Sequence, residues 1–298
     1  MGAPEEVEPG KVRPAAVAGR FYPRDPVELR NLVTGFLAQV PTGPAGLVEN
    51  PAGVGWAGGT PAPLLGPKAI IAPHAGYPYS GPISATAYAQ FIPARDQIRR
   101  VVLLGPSHYV EVEGLATSSA EAFATPLGLV PVDVEAVRQV RALPQVREMD
   151  EAHEREHSLE VQLPFLQMVL DDFVLVPFAV GDATSEQVSQ VLDALWDGPE
   201  TRFVVSSDLS HYYDSQTARR LDAATATAIE ALKPGGVGGE SACGRIPIRG
   251  LLDAARRHGL HARTVDLRNS GDTAGPRDKV VGYGAFVFEQ APQPPCRS

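Results

Sequence analysis

Four short, unbroken apolar runs, Ala69–Ala72, Val101–Leu104, Phe173–Val176 and Phe203–Val205, recur along the chain. Runs of that length without polar alternation are the pattern of strands buried on both faces. Between and around them, small and apolar residues repeat at spacings of three and four over residues 82–92, 133–143, 158–171, 184–197 and 216–233, which predicts helices. A further helix is expected from Pro247 through His258, a more antiparallel stretch at 115–132, and the last strand at Val281–Phe288. Strands alternating with helices argue for an α/β fold with a mainly parallel central sheet covered by helices on both faces. The chain carries no internal repeat.

The flanks of this pattern set the domain limits. The first ten residues carry Glu5, Glu6 and Glu8 and read as an acidic, solvated tail, so order is expected from Lys11. Residues 41–68 hold seven glycines and six prolines, and the stretch before them is too short for a core of its own. They read as a long loop within one domain rather than a linker between two. A single domain is expected over 11–290, followed by a Pro-rich tail at 291–298 that contains Cys296.

Composition narrows the function classes. With 44% hydrophobic and 20% charged residues over 298 positions, the chain has neither the charge excess of a disordered protein nor the apolar runs of a membrane one. A net charge of −9 leaves no basic excess for phosphates, so nucleic acid is not an expected partner. Two cysteines cannot form a disulfide framework. Residues 1–20 show no apolar run after a basic start, and the expected address is the cytoplasm.

Three of the seven histidines fall directly after a predicted buried strand. They are His74 in Ala-Pro-His-Ala-Gly, His108 in Gly-Pro-Ser-His, and His211 in Ser-Asp-Leu-Ser-His. In open α/β sheets the carboxyl ends of the strands line the ligand crevice. Cys243 stands just ahead of a predicted helix and beside Arg245, a setting that favours thiolate and so metal binding or nucleophilic attack. Asp208, three residues before His211, is placed to orient its imidazole or to support a neighbouring ligand. Ser158 and Asp214 read as helix caps.

One motif points elsewhere. His153-Glu154-Arg155-Glu156-His157 matches the H-E-x-x-H pattern of zinc peptidases. It precedes the apolar-periodic residues Leu159, Leu163 and Leu166 instead of lying within a long helix, and Pro164 follows. The favoured alternative is a charged helix start with His157 turned toward the crevice.

As an ordered set, several segments resemble the MEMO family, whose bacterial branch is known as AmmeMemoRadiSam system protein B. They are Arg13–Pro23, Ala72–Gly81, Leu104–His108, Glu156–Pro164, Val204–His211, Cys243–Ile248 and Asn269–Asp272. The resemblance implies a single α/β domain similar to class III extradiol dioxygenases, which hold a non-haem iron at the strand ends. Carried onto this chain, His74 and His108 match the histidine ligands, Cys243 takes the place of the glutamate ligand, and His211 matches the acid/base histidine. A thiolate in the third position shifts preference from iron toward copper, with zinc also possible. Gln162 stands where some members carry a further histidine.

The expectation is therefore a metal-binding protein in which His74, His108 and Cys243 hold one iron or copper ion. His211, with Asp208 beside it, moves protons, and His157 and Tyr79 line the pocket of an unknown small molecule. The resemblance also implies a rival, an adaptor that recognises phosphotyrosine-type peptides in the same crevice, and a functional link to a radical S-adenosylmethionine enzyme. The zinc peptidase is a minor third reading.

Overall fold

The computed structural model describes residues 11–41 and 66–290. The acidic first ten residues, most of the Pro/Gly-rich loop and the tail with Cys296 lie outside the described residues. In chain order come β1 (Val12–Arg13), α1 (Pro26–Ala38), β2 (Ala69–Ala72), α2 (Tyr77–Ala89), β3 (Arg100–Pro106) and β4 (Leu115–Thr117). Next are β5 (Ala122–Thr125), β6 (Gly128–Pro131), α3 (Val134–Val140), β7 (Val146–Glu148), α4 (Glu151–Glu154), α5 (His157–Glu160) and α6 (Leu163–Val169). The remainder is β8 (Val174–Val180), α7 (Ser185–Ala194), β9 (Thr201–Ser206), β10 (His211–Tyr213), α8 (Ser215–Glu230), α9 (Arg245–Arg257), β11 (Leu260–Asn269) and β12 (Val280–Gln290).

The four apolar runs are β2, β3, β8 and β9, and they stand side by side in the order β2-β9-β3-β8, all parallel. Every residue of β2 and β9 is buried, which requires cover on both faces. α2 packs on β2, and α9 packs on β3 and β9. The sheet is mixed at its margins. β12 runs antiparallel to β2, with β10 and β11 antiparallel to β12. At the other side β4 is antiparallel to β8, and β7 parallel to β4. β5 and β6 form the antiparallel hairpin expected within 115–132 and join β1 in a separate small sheet. Among the described residues no helix is long and apolar enough to cross a membrane.

Three of the departures from the sequence pattern have a plain physical reason. The helix expected over 158–171 is two helices, because Pro164 lacks the N–H an interior position needs and is accommodated only in the first turn of α6. β11 is half-buried along most of its length, so no clean apolar alternation marks it, yet it pairs with β12 from Leu260 to Asn269. α1 is absent from the predicted helices, although Asp25-Pro26 signals its start. The Asp25 carboxylate accepts from the backbone N–H of Val27 and Glu28, and Leu29 and Val33 are buried one turn apart.

Candidate metal centre

The register of the parallel strands brings the candidate residues to one end of the sheet. Ala72 pairs with Ser206 and Leu104 with Val205, so the turns carrying His74, His108 and Asp208 leave the sheet side by side. There, one ligand atom from each of His74, His108 and His157 lies within 4.8 Å of the others. The His108 and His157 rings stack with centroids 4.5 Å apart, and His74 stands edge-on to both at 5.2 and 5.4 Å. Of the three expected ligands the fold groups His74 and His108, with His157 as the third member; Cys243 is not in that group, although its Sγ lies 3.1 Å from Nε2 of His74.

The hydrogen bonds behind the rings decide which nitrogens are free. Ser206 donates its hydroxyl to the Ser158 carbonyl at 2.6 Å and accepts from the Gln162 amide at 2.8 Å. It can therefore only accept from Nδ1 of His74, at 2.8 Å, which leaves the His74 Nε2 lone pair facing Cys243. Nδ1 of His108 lies 2.8 Å from Oε1 of Glu156, and the other carboxylate oxygen accepts from the His108 backbone N–H at 2.6 Å. Burial alone would raise the Glu156 carboxyl, but these bonds and one from the Ser158 N–H hold it down at about 2. Glu156 is thus an ionised acceptor for Nδ1 of His108, which leaves Nε2 as the ring nitrogen not engaged by it.

Burial, followed by the neighbouring imidazoles, lowers His74 to about 3 and His157 to about 4. Both rings are neutral, as metal ligands must be. Nδ1 of His157 is buried with no hydrogen-bond partner among the described residues. It lies 3.4 Å from Oε1 of Glu156 without the alignment of a hydrogen bond. An orphaned imidazole nitrogen in a cluster of three fits a cation in the centre.

Local sequence explains how α5 reaches this place. A Cβ at Gly105 would meet Ser158 Oγ at 2.6 Å, so the glycine lets α5 sit directly on β3 and brings His157 beside His108. Ser158 is not the cap the sequence suggests. It is buried and donates to the Pro106 carbonyl, while Glu156 caps α5. Asp214 does cap α8. From below, fully buried Glu160 accepts from the Ala16 and Val17 N–H groups and the Tyr22 hydroxyl, and pairs with the Arg13 guanidinium. Arg13 also donates to the His153 and Glu156 carbonyls. This node fastens residues 13–22 under α4 and α5.

Cys243 corrects one expectation. Burial, then the nearby Asp208 carboxyl, pushes its thiol up to about 12, outweighing the hydrogen bond from the Asp208 N–H. With no ion bound, the group is a thiol that donates to the bare Nε2 of His74. Its approach depends on Gly244, where a Cβ would meet Ser207 Cβ at 2.6 Å and the Ser206 carbonyl at 2.8 Å. Asp208 is buried and accepts from the His74 backbone N–H at 2.8 Å. Of its two expected partners it bonds the neighbouring His74, and no hydrogen bond joins it to His211 among the described residues. Burial raises its carboxyl above the ordinary value.

His211 opens β10 and, with Tyr213, Glu240, Cys243 and Arg245, lines a cavity of about 250 Å³. Tyr79, 42% exposed, stands in the first turn of α2 outside the imidazole cluster. His153 lies elsewhere. α4 ends at Glu154 before α5 begins at His157, so the two histidines of the H-E-x-x-H pattern do not share a helix face. The His153 ring is buried against Phe123, with Nε2 3.0 Å from the Ala116 carbonyl. The pattern is a coincidence of spacing, and the peptidase reading loses its geometry.

An α/β domain with a histidine cluster at its strand ends is the class these observations define. The model of the Memo-like protein family matches residues 13–287. A MEMO1 family protein of Methanopyrus kandleri is 34% identical over 93% of this chain and 99% of its own length. MEMO1 family proteins of Aquifex aeolicus, at 33% over 93% and 99%, and Aeropyrum pernix, at 38% over 92% and 99%, are similar to it as well. The chain belongs to the MEMO family.

Sequence reasoning missed the residues that stand behind the rings. Glu156 was hidden in an acidic stretch, although its position directly before His157 puts it on the same turn. Gln162, read as a missing imidazole, bridges the Pro73 carbonyl and Ser206 and accepts from the Tyr88 hydroxyl. Nothing in local spacing links Ser206 to His74.

Proposed function

We propose that this protein holds one transition-metal ion, iron or copper with zinc as a third candidate, and carries out redox or oxygen chemistry on a small substrate. His74, His108 and Cys243 are the assigned donors; His157 completes the mutually close group with the two histidines, and the sulfur reaches it through its contact with His74. The observation that carries the reading is that His74 and His108 each have Nδ1 committed to a buried acceptor, so that Nε2 is the nitrogen each can offer an ion, and that one ligand atom of each lies within 4.8 Å of the other and of one from His157. Nitrogen at ~2.0 Å and sulfur at ~2.3 Å from one ion sit about 3 to 3.6 Å apart. The 3.1 Å between His74 Nε2 and Cys243 Sγ falls in that range.

A bound ion would supply Lewis acidity and, if iron or copper, electron transfer. The thiol keeps its proton without metal, so coordination through sulfur is tied to proton release. His211, at the wall of the adjoining cavity, is the group assigned to take or return a substrate proton, a contribution of about 10²- to 10⁴-fold. Asp208 holds the His74 backbone and thereby the position of the first imidazole. A cavity of about 250 Å³ suits a small molecule better than a peptide loop.

Metal analysis of protein purified without a His-tag tests this. Wild type is expected to retain about one ion per chain, and His74→Ala and Cys243→Ser to lose it. Equal metal content in all three overturns the reading.

A further inference from the structure

The cavity beside Cys243 has a chemical character that the metal centre does not explain. Its lining offers one cation, Arg245, and one exposed carboxylate, Glu240, with His211 and Cys243 in the same wall. The Arg245 guanidinium makes no hydrogen bond or ion pair among the described residues, though most arginines of the chain are committed to carboxylates or carbonyls. Glu240 accepts from the Tyr213 hydroxyl at 3.0 Å, which fixes the carboxylate and leaves it further acceptor capacity. The cavity of about 250 Å³ is smaller than the ~300–1,000 Å³ of drug-sized sites.

We infer that this cavity binds a small carboxylate that also carries a hydrogen-bond donor, the carboxylate seated on Arg245 and the donor on Glu240. A guanidinium presents two parallel N–H groups that match a carboxylate. The rim carboxylate of Glu240 disfavours a doubly charged phosphate and accepts a hydroxyl or amine at the ligand's other end. The shared wall with Cys243 places the occupant next to the sulfur that lies beside His74. The inference depends on the proposed function only for calling this occupant a substrate, not for its binding.

Calorimetric titration of the purified protein with para-hydroxybenzoate, its neutral isostere para-hydroxybenzamide and inorganic phosphate tests it. The carboxylate is expected to bind roughly tenfold tighter than the amide, the worth of a charge-assisted hydrogen bond. Arg245→Gln is expected to erase that preference and Arg245→Lys to keep part of it, both with unchanged metal content. No preference in wild type, a preference that survives Arg245→Gln, or phosphate binding tighter than the carboxylate overturns the inference. Metal-free wild type that still prefers the carboxylate sinks the metal reading and leaves this one standing. Metal-loaded protein without the preference does the reverse.

Discussion

Sγ of Cys243 and Nε2 of His74 lie 3.1 Å apart although 169 positions separate the two residues. Two close approaches make that distance. The backbone at Gly244 presses on Ser206 and Ser207 at the end of β9, and Ser206 in turn holds Nδ1 of His74. The sulfur and the imidazole are therefore positioned by the same short stretch of chain.

Replacing Cys243 by Ser keeps a small polar group but removes the soft donor. Metal affinity is expected to fall by more than the ~10- to 100-fold typical of changes behind the ligands. In the copper- or cobalt-loaded protein, the sulfur-to-metal charge-transfer absorption should disappear. A variant that keeps this band places the sulfur-metal bond elsewhere.

Glu156→Gln removes the charge that orients His108 but preserves the shape of the side chain. Chelator competition should show metal affinity lowered about 10- to 100-fold, with the folded state intact. Unchanged affinity would mean that the pairing of His108 with Glu156 serves only to cap α5.

The Arg13–Glu160 pair is almost wholly buried, with side-chain exposures of 5% and 0%. Arg13→Met strands a carboxylate under α5 and is expected to cost about 3–5 kcal/mol in urea unfolding. Removing the exposed partner Arg138 of Glu135 should change stability by no more than ~0.5 kcal/mol. Equal effects at the two sites would contradict the assignment of the buried node as the fastening of the amino-terminal segment.

His153 gives a pH signature independent of metal. Burial, only partly opposed by the bond to the Ala116 carbonyl, lowers it to about 4, against ~6.5 in the unfolded chain. Above that unfolded value neither state is protonated and the group is silent. As pH falls from there, the unfolded chain takes a proton the folded ring refuses, so stability drops by ~1.4 kcal/mol per pH unit until the folded value is reached. His153→Gln retains a donor for Ala116 and should show a pH dependence shallower by one proton when urea unfolding is compared at about pH 7 and about pH 5. Parallel pH curves for the two proteins would rule out a neutral buried ring.

The strands and the site were legible to different degrees. β2, β3, β8 and β9 could be read directly, since burial on both faces demands continuous apolar runs, and His74 and His108, which follow two of them, meet through the parallel register, whereas His211 lines the cavity beside Cys243. β11 could not, because its half-buried residues show no dominant face. His157 was legible as a crevice residue, but its place in the imidazole cluster depends on Gly105 admitting α5 against β3, a contact between distant segments. The state of Cys243 was misjudged for a similar reason. The helix start and Arg245 are local in sequence, whereas the burial and the Asp208 carboxyl that keep it protonated arise from the tertiary fold.

The most direct test of the metal centre is an anomalous difference map from a crystal grown without oxygen, recorded at the absorption edges of iron, copper and zinc. The account predicts one peak within about 2.0–2.4 Å of His74 Nε2, a His108 ring nitrogen and Cys243 Sγ. A peak held at any other group of residues, or none in fully loaded protein, would contradict it.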